Sequence, residues 1–288
     1  MSASTMGRRL SIGLIAEIHH GEPPADPVRW HNELSLDRTA ELLDQAVATL
    51  REMSPDAVVL LGDLSNYADG ASLAHVAKTV AALERPVYVV PGNHDIDGHP
   101  DAAERFSRPL SLPGVVVAPA IVEPEAGLLV PLVGLRRDAE TNALSSACPA
   151  LLPAVMSRLT IIQSHFPLLP MSERLASAGL RHAGDLADRE NLLHMVEQVP
   201  GPVIAMHGHL HVRASQSSGA LLQLSCAALV EPPHEITIMT VTESGDSQFM
   251  VKRTAISIKP HIVRRVPVLS PAEEEWRFAG GRWSSITG

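Results

Sequence analysis

Five short apolar runs in this 288-residue chain are each followed by side chains able to bind a divalent metal. Residues 87–91 lead into Gly92-Asn93-His94-Asp95, which offers an amide oxygen, an imidazole and a carboxylate within four positions. Residues 10–16 lead into Glu17-Ile18-His19, residues 58–61 into Gly62-Asp63, and the run at 160–163 into Ser164-His165. Residues 203–206 precede Gly208-His209-Leu210-His211. Taken together, Glu17, Asp63, Asn93, His19, His165, His209 and His211 supply two carboxylates, one amide oxygen and four imidazoles, the donor count of two metals sharing a bridge. A lone histidine carries little meaning; five such endings in order carry much more. The chemistry they would support is hydrolysis of an anionic ester, with paired cations lowering the pKa of water and clamping the substrate.

Those donors need a frame that ends several strands in one place. The five runs are short and rich in β-branched or aliphatic residues, and so read as buried strands. Between the first two, residues 36–53 carry Leu42, Leu43, Ala46, Val47 and Leu50 on one helical stripe, with Ser35 available as N-cap and Pro55 closing the helix. Residues 71–83 repeat the pattern with Leu73, Val76, Ala77, Val80 and Leu83, so the chain opens βαβαβ. Donors at the carboxyl ends of such strands lie where open α/β sheets bind ligands.

Residues 112–135 alternate Val/Leu/Ile runs (115–117, 128–133) with Pro and Gly and predict strands of a second sheet. Helices are expected around 150–158 and over 189–199, with a loop or irregular helix over 171–184. The tail predicts strands at 221–224, 236–241, 247–251 and 254–258, with a turn at 243–246. Ser270-Pro271 followed by Glu273, Glu274 and Glu275 has the cap, proline and acidic first turn of a helix start. Trp276, Phe278 and Trp283 then suggest a tail, residues 261–288, that packs on a body formed by 1–260, or forms a subunit or lid contact.

A formal charge of −9 disfavours a broad surface for nucleic acid or anionic lipid, so local positive charge must come from elsewhere, such as bound metal. Cys148 and Cys226 have no CxxC partner, which argues against a thiolate zinc site or a disulfide framework and fits a reduced, cytoplasmic setting. Arg8-Arg9 before an apolar stretch has the outline of a twin-arginine export signal, but the stretch is short, Glu17 interrupts it and no cleavage site follows. No run approaches the ~18 to 20 apolar residues of a membrane span.

The order Glu17-x-His19, Gly62-Asp63, Gly92-Asn93-His94-Asp95, His165 and Gly208-His209-x-His211 resembles the calcineurin-like metallophosphoesterase family, whose motifs are DxH, GD, GNH(D/E), a lone H and GHxH. The likeness covers roughly residues 10–240. It implies a four-layer α/β/β/α sandwich of two mixed sheets and two divalent ions, with Mn, Fe and Zn as candidates. It implies that Glu17, His19, Asp63 and His211 hold the first metal, and that the bridging Asp63, with Asn93, His165 and His209, holds the second. Hydroxide bridging the metals would attack phosphorus in line, His94 would protonate the leaving alkoxide, and Asp95 would orient His94. The chain departs from the family in having Glu17 where the first motif has Asp. Either the longer carboxylate is accommodated with altered geometry, or the first metal is weakened.

Gly62-Asp63-Leu64-Ser65-Asn66-Tyr67 resembles the GDL(T/S)N stretch of bacterial class III cyclic-nucleotide phosphodiesterases, although Leu135-Arg136-Arg137-Asp138 departs from them. The resemblance implies a phosphodiesterase for a small phosphodiester, such as a 3',5'-cyclic nucleotide. A phosphomonoesterase, a pyrophosphate hydrolase and a catalytically weakened scaffold remain open. Substrate contacts would come from Asn66, Tyr67, Arg136 and Arg137, with Tyr67 and Phe166 as candidates for stacking on a base. The expected partner is a small phosphate ester, with neither a nucleic acid polymer nor a membrane, and a homodimer is open. Among other histidines, His20, His99 and His207 lie near the motifs.

Overall fold

The structure, a computed structural model, describes residues 8–97, 101–138, 141–143, 158–182, 184–244, 248–258 and 267–287. Strand and helix alternate first: β1 (Arg9–Ile15), α1 (Thr39–Met53), β2 (Ala57–Leu60), α2 (Gly70–Ala81) and β3 (Val87–Val89), then α3 (Asn93–Ile96), α4 (Ala102–Ser107) and β4 (Val115–Val117). Next come β5 (Ala120–Val122), β6 (Leu132–Gly134), β7 (Thr160–Gln163), α5 (Ser172–Ser177), α6 (Arg189–Glu197), β8 (Val203–His207), β9 (Ala214–Ser218) and β10 (Leu221–Ser225). Two long strands, β11 (Glu235–Ser244) and β12 (Gln248–Ser257), precede the hairpin β13 (Glu273–Ala279) and β14 (Arg282–Ser285).

Two mixed sheets result, ordered β14-β13-β12-β11-β1-β2-β3-β4 and β5-β6-β7-β8-β10-β9. β1 to β4 run parallel, as do β6, β7, β8 and β10, so the carboxyl ends of β1–β3 and of β7 and β8 can meet at one rim. Alternation along the strands sorts the side chains into layers. Leu10, Ile12, Leu14, Val59, Ile161, Ile204, Leu222 and Met239 pack between the sheets, whereas Ile15, Val58, Leu60 and Val89 turn outward to Leu42, Leu43, Leu50 and Leu73 of α1 and α2. On the other side Ile162, Val203 and Ala205 meet Leu192 and Val196 of α6. This is the four-layer α/β/β/α arrangement.

The helical stripes are buried as their spacing predicts, but Ser35 makes no side-chain cap; a 3-10 turn at Leu36–Arg38 leads into α1 instead. α1 ends where Ser54, at φ 48°, turns left-handed and donates its N–H to the Leu50 carbonyl. α2 is capped by Asp69, whose carboxylate accepts from the Ser72 N–H at 2.8 Å, a contact worth about 1 kcal/mol. Over 171–184 the irregular-helix expectation corresponds to α5, with Met171, Leu175 and Leu180 packed on Leu210 and Val212. The helix expected around 150–158 falls almost wholly outside the described residues.

The helix start expected at 270–275 is not formed; from Glu273 the chain is strand β13. Its register with β12 outweighs the local signal. Glu274 pairs with the fully buried Arg253 at 2.7 Å, and Lys252 lies 3.6 and 3.8 Å from Glu273 and Glu275. Trp276 and Trp283 enter the core between the sheets, so residues 273–285 extend the larger sheet. No helix among the described residues is long and apolar enough to cross a membrane.

Candidate metal centre

The loops after β1, β2, β3, β7 and β8 deliver Glu17 and His19, Asp63, Asn93 and His94, His165, and His209 and His211 to one rim. The backbone there is bent against its own preference. Glu17 (φ 57°), His19 (50°), Asp63 (51°), His209 (65°) and His211 (53°) all adopt left-handed conformations that cost non-glycine residues about 1–2 kcal/mol each. The surrounding hydrogen bonds enforce this: the Glu17 N–H donates to the Gly62 carbonyl at 3.2 Å, and those of Ile18 and His19 to the Asp63 carbonyl at 2.9 Å. Close contacts require glycine at Gly62, where a Cβ would overlap the His165 ring, and at two further positions. A Cβ on Gly92 would overlap the Asp63 carboxylate, and one on Gly208 would overlap Glu17 Oε1.

The donors form overlapping groups. Ligand atoms of Glu17, His19 and His211 lie within 4.8 Å of one another, as do those of Glu17, Asp63 and His165 and those of His19, Asp63 and His94. Glu17 Oε2 is 3.2 Å from His19 Nε2 and 3.1 Å from His211 Nε2, while its Oε1 is tied to the His209 backbone N–H. Asp63 Oδ2 is 3.7 Å from His19 Nε2 and 3.4 Å from His165 Nε2, so this one oxygen faces both sides of the cluster. Asn93 Oδ1 is 3.2 Å from His165 Nε2. His209 stands beside them, its ring centroid 5.0 Å from that of His165 and its Nε2 buried without a hydrogen-bond partner among the described residues.

Outer contacts fix the tautomers. His165 Nδ1 donates to the Leu61 carbonyl at 2.8 Å and His211 Nδ1 to Glu231 Oε2 at 2.9 Å, which directs Nε2 of each ring into the cluster. Burial pushes the Glu17 and Asp63 carboxyls up, but the neighbouring imidazoles, His165 foremost, outweigh it and hold both below their ordinary values, Glu17 far below. Burial pushes His165 and His211 down, and the facing carboxylates overcome it, raising them to about 9 and about 10. His209, buried and beside the His165 charge, falls to about 3. A cluster of two buried carboxylates, convergent Nε2 atoms and an orphaned buried imidazole nitrogen suits divalent cations well.

His94 is exposed at the edge of this cluster. Its backbone N–H donates to Asp63 Oδ1 at 2.9 Å and its Nδ1 to the Asn66 carbonyl at 3.1 Å. Asp95, expected to orient His94, has its contacts elsewhere. The Asp95 carboxylate is engaged by the N–H groups of Gly92 (2.9 Å), Leu64 (3.1 Å) and Ser65 (2.8 Å) and by the Ser65 hydroxyl (3.0 Å). It sews the loop after β2 to the loop after β3; burial and the Asp63 charge raise it to about 6.

The substrate residues expected from sequence divide. A cavity of about 310 Å³ is lined by His19, Asp63, Asn93, His94, His209 and His211, by Val28, Arg29, Trp30 and Leu34 of the loop before α1, and by Asn66. Tyr67 is 56% exposed and outside this lining. Arg137 is buried in an ion pair with Asp97, bonds Asn142 at 3.0 Å and lies over the Phe166 ring, so its charge is spent on structure. Arg136 is half-buried and does not line the cavity. Phe166 is buried against His209, with ring centroids 4.1 Å apart, and presents no face to a base.

Two further features of the site carry no sequence motif. Glu231, buried behind His211, also accepts the Asn32 N–H. The loop 28–34 had no motif to mark it, while an acid closing the apolar stretch 226–230 before Pro232-Pro233 was the available signal for Glu231.

The fold has solved counterparts. A dimetal phosphatase from Danio rerio superposes with a TM-score of 0.64 at 17% identity, covering 87% of this chain and 97% of that one. A purple acid phosphatase from yellow lupin (Lupinus luteus) seeds gives 0.55 at 13%, covering 91% and 54%, and a Thermus thermophilus protein 0.52 at 12%, covering 88% and 100%. At such identities the likeness is one of fold. No curated protein sequence gives a significant match. The sequence model of the calcineurin-like phosphoesterases matches residues 10–213, the span that carries every donor from Glu17 to His211, and this chain belongs to that family.

Proposed function

We propose that this phosphoesterase is a dinuclear metal-dependent phosphodiesterase of small phosphodiesters, with cyclic nucleotides as the leading substrate class. The observation that carries the reading is Asp63, whose Oδ2 faces His19 on one side and His165 on the other while its Oδ1 fixes the backbone of His94. Glu17, His19, Asp63 and His211 would hold one cation, and Asp63, Asn93, His165 and His209 the second. A pair of divalent cations, with Mn, Fe and Zn as candidates, supplies Lewis-acid polarisation of the phosphoryl oxygens and a nucleophile from water near neutral pH.

The chain's own residues do the rest. His94, with Nδ1–H committed to the Asn66 carbonyl, carries its exchangeable proton on Nε2, the nitrogen available to a leaving alkoxide. The lining contributed by the loop 28–34 is largely apolar, and its one cation among the described residues, Arg29, is paired with Glu33 at 3.0 Å. That wall favours a diester with a carbon-rich substituent over a pyrophosphate, which would call for further cations. The Gly62–Asn66 stretch adds the cyclic-nucleotide leaning. The scaffold alternative rested on Glu17, and its geometry argues against that: one oxygen is anchored by the His209 N–H and the other is set between two imidazoles.

The test is turnover by protein reconstituted with Mn, Fe or Zn. Faster hydrolysis of bis-p-nitrophenyl phosphate than of p-nitrophenyl phosphate is expected, followed by a screen of cyclic and linear nucleotides. Preference for the monoester would overturn the diesterase reading, and no turnover with any metal would support the scaffold.

A further inference from the structure

The loop 28–34 is built to a definite shape and fastened to the metal centre. Arg29 and Glu33 form an antiparallel bridge; the Trp30 N–H donates to the Asn32 carbonyl and the Leu34 N–H to the Val28 carbonyl, both at 2.9 Å. Its outer ties run to the residues around His211. His31 Nε2 donates to the Leu210 carbonyl at 2.9 Å, and the Asn32 N–H is taken by Glu231, the carboxylate that holds His211 Nδ1. Trp30 is thereby set with its ring centroid 6.3 Å from that of His211, lining the cavity. The Arg181 guanidinium lies 5.4 Å from the Trp30 ring and bonds the Arg29 carbonyl at 3.3 Å, yet Arg181 is not part of the cavity lining. It braces the indole without occupying the cavity.

Building on the phosphodiesterase reading, we propose that Trp30, flanked by Val28 and Leu34, is the subsite for a flat aromatic non-leaving substituent of the phosphoester. A phosphoryl group at the His19–His211 side places its ester substituent against this wall. The cavity of about 310 Å³ has room for both. The wall offers an aromatic face and aliphatic side chains, with Arg29 already paired, so it recognises an aryl or nucleobase group by stacking and burial. The aromatic recognition sought at Tyr67 and Phe166 thus falls to a residue more than thirty positions upstream of either.

Two diesters with one leaving group test this: phenyl p-nitrophenyl phosphate and methyl p-nitrophenyl phosphate, with the metal-loaded full chain. Trp30→Ala should lower kcat/KM for the phenyl ester about 10- to 100-fold, chiefly through KM, and change the methyl ester less than about 3-fold. Trp30→Phe should restore most of the loss. In binding, phenylphosphonate should quench tryptophan fluorescence where methylphosphonate does not, and Trp30→Phe should abolish the quenching. Equal losses on both esters, or quenching that survives in Trp30→Phe, would overturn the subsite. If the wild type turns over neither ester, the phosphodiesterase reading fails, and the quenching comparison still decides whether Trp30 receives an aromatic group.

Discussion

Shortening Glu17 to Asp would give the chain the acid its family carries, yet the structure predicts a worse metal site. Glu17 reaches the cluster with its full length: Oε1 is anchored on the His209 N–H and Oε2 lies 3.1 and 3.2 Å from His211 and His19. Removing one methylene withdraws the carboxylate by about 1.5 Å. That breaks the charge-assisted hydrogen bond, a loss of about 1.5–3 kcal/mol, and leaves a methylene-sized void costing about 1 kcal/mol. Gly208 sits against Oε1 so tightly that the backbone is poorly placed to follow. Glu17→Asp should therefore weaken the first cation by roughly 10- to 1000-fold, with the second less affected. Calorimetric titration of Mn or Zn into metal-stripped protein, with metal content measured after desalting, reads the difference. Glu17→Gln, which keeps the length and removes the charge, separates the two contributions. Tighter binding in Glu17→Asp would refute the conclusion that this pocket is shaped around glutamate.

Other expectations follow from single contacts. His94→Ala should cut turnover of poor-leaving-group esters by ~10² to 10⁴ while sparing activated aryl esters and leaving metal content unchanged; equal loss on both classes would remove its role as acid. Glu231→Gln should weaken metal binding by about 10- to 100-fold through a misoriented His211, an effect absent if Glu231 serves only the fold. Burial pushes the Cys226 thiol up to about 12, so above roughly pH 9 the unfolded chain ionises while the folded one stays protonated. Its stabilising contribution is whole below that pH and is lost towards pH 12, at about 1.4 kcal/mol per unit. Denaturant midpoints at pH 8 and pH 10 should accordingly differ less in Cys226→Ala than in the wild type, and an unchanged difference would contradict this.

Strand ends and their donors were legible in the sequence because both obey short-range rules. The runs before Glu17, Asp63, Asn93, His165 and His209 are short segments rich in β-branched or aliphatic residues, and α1 and α2 announce themselves by period. What stayed hidden depends on partners distant in sequence. β9 (ASQSS) is too polar to read as a strand and exists by pairing with β10 at the sheet edge. The acids at 273–275 signal a helix until Lys252 and Arg253 appear opposite them. At the site, Asp95 follows His94 in sequence yet spends its oxygens on Gly92, Leu64 and Ser65, and Arg137 is claimed by Asp97. Trp30 and Glu231 have no motif because their meaning comes from His211, to which one lies adjacent and the other is bonded.

Asp63 is proposed to be shared by two cations. A crystal structure of the Mn-loaded protein with anomalous scattering tests it most directly. Two peaks about 3.5–4 Å apart are expected with Asp63 between them, Glu17 on the side of His19 and His211, and Asn93 on the side of His165 and His209. A single peak, or two peaks with Asp63 touching neither or only one, would contradict it.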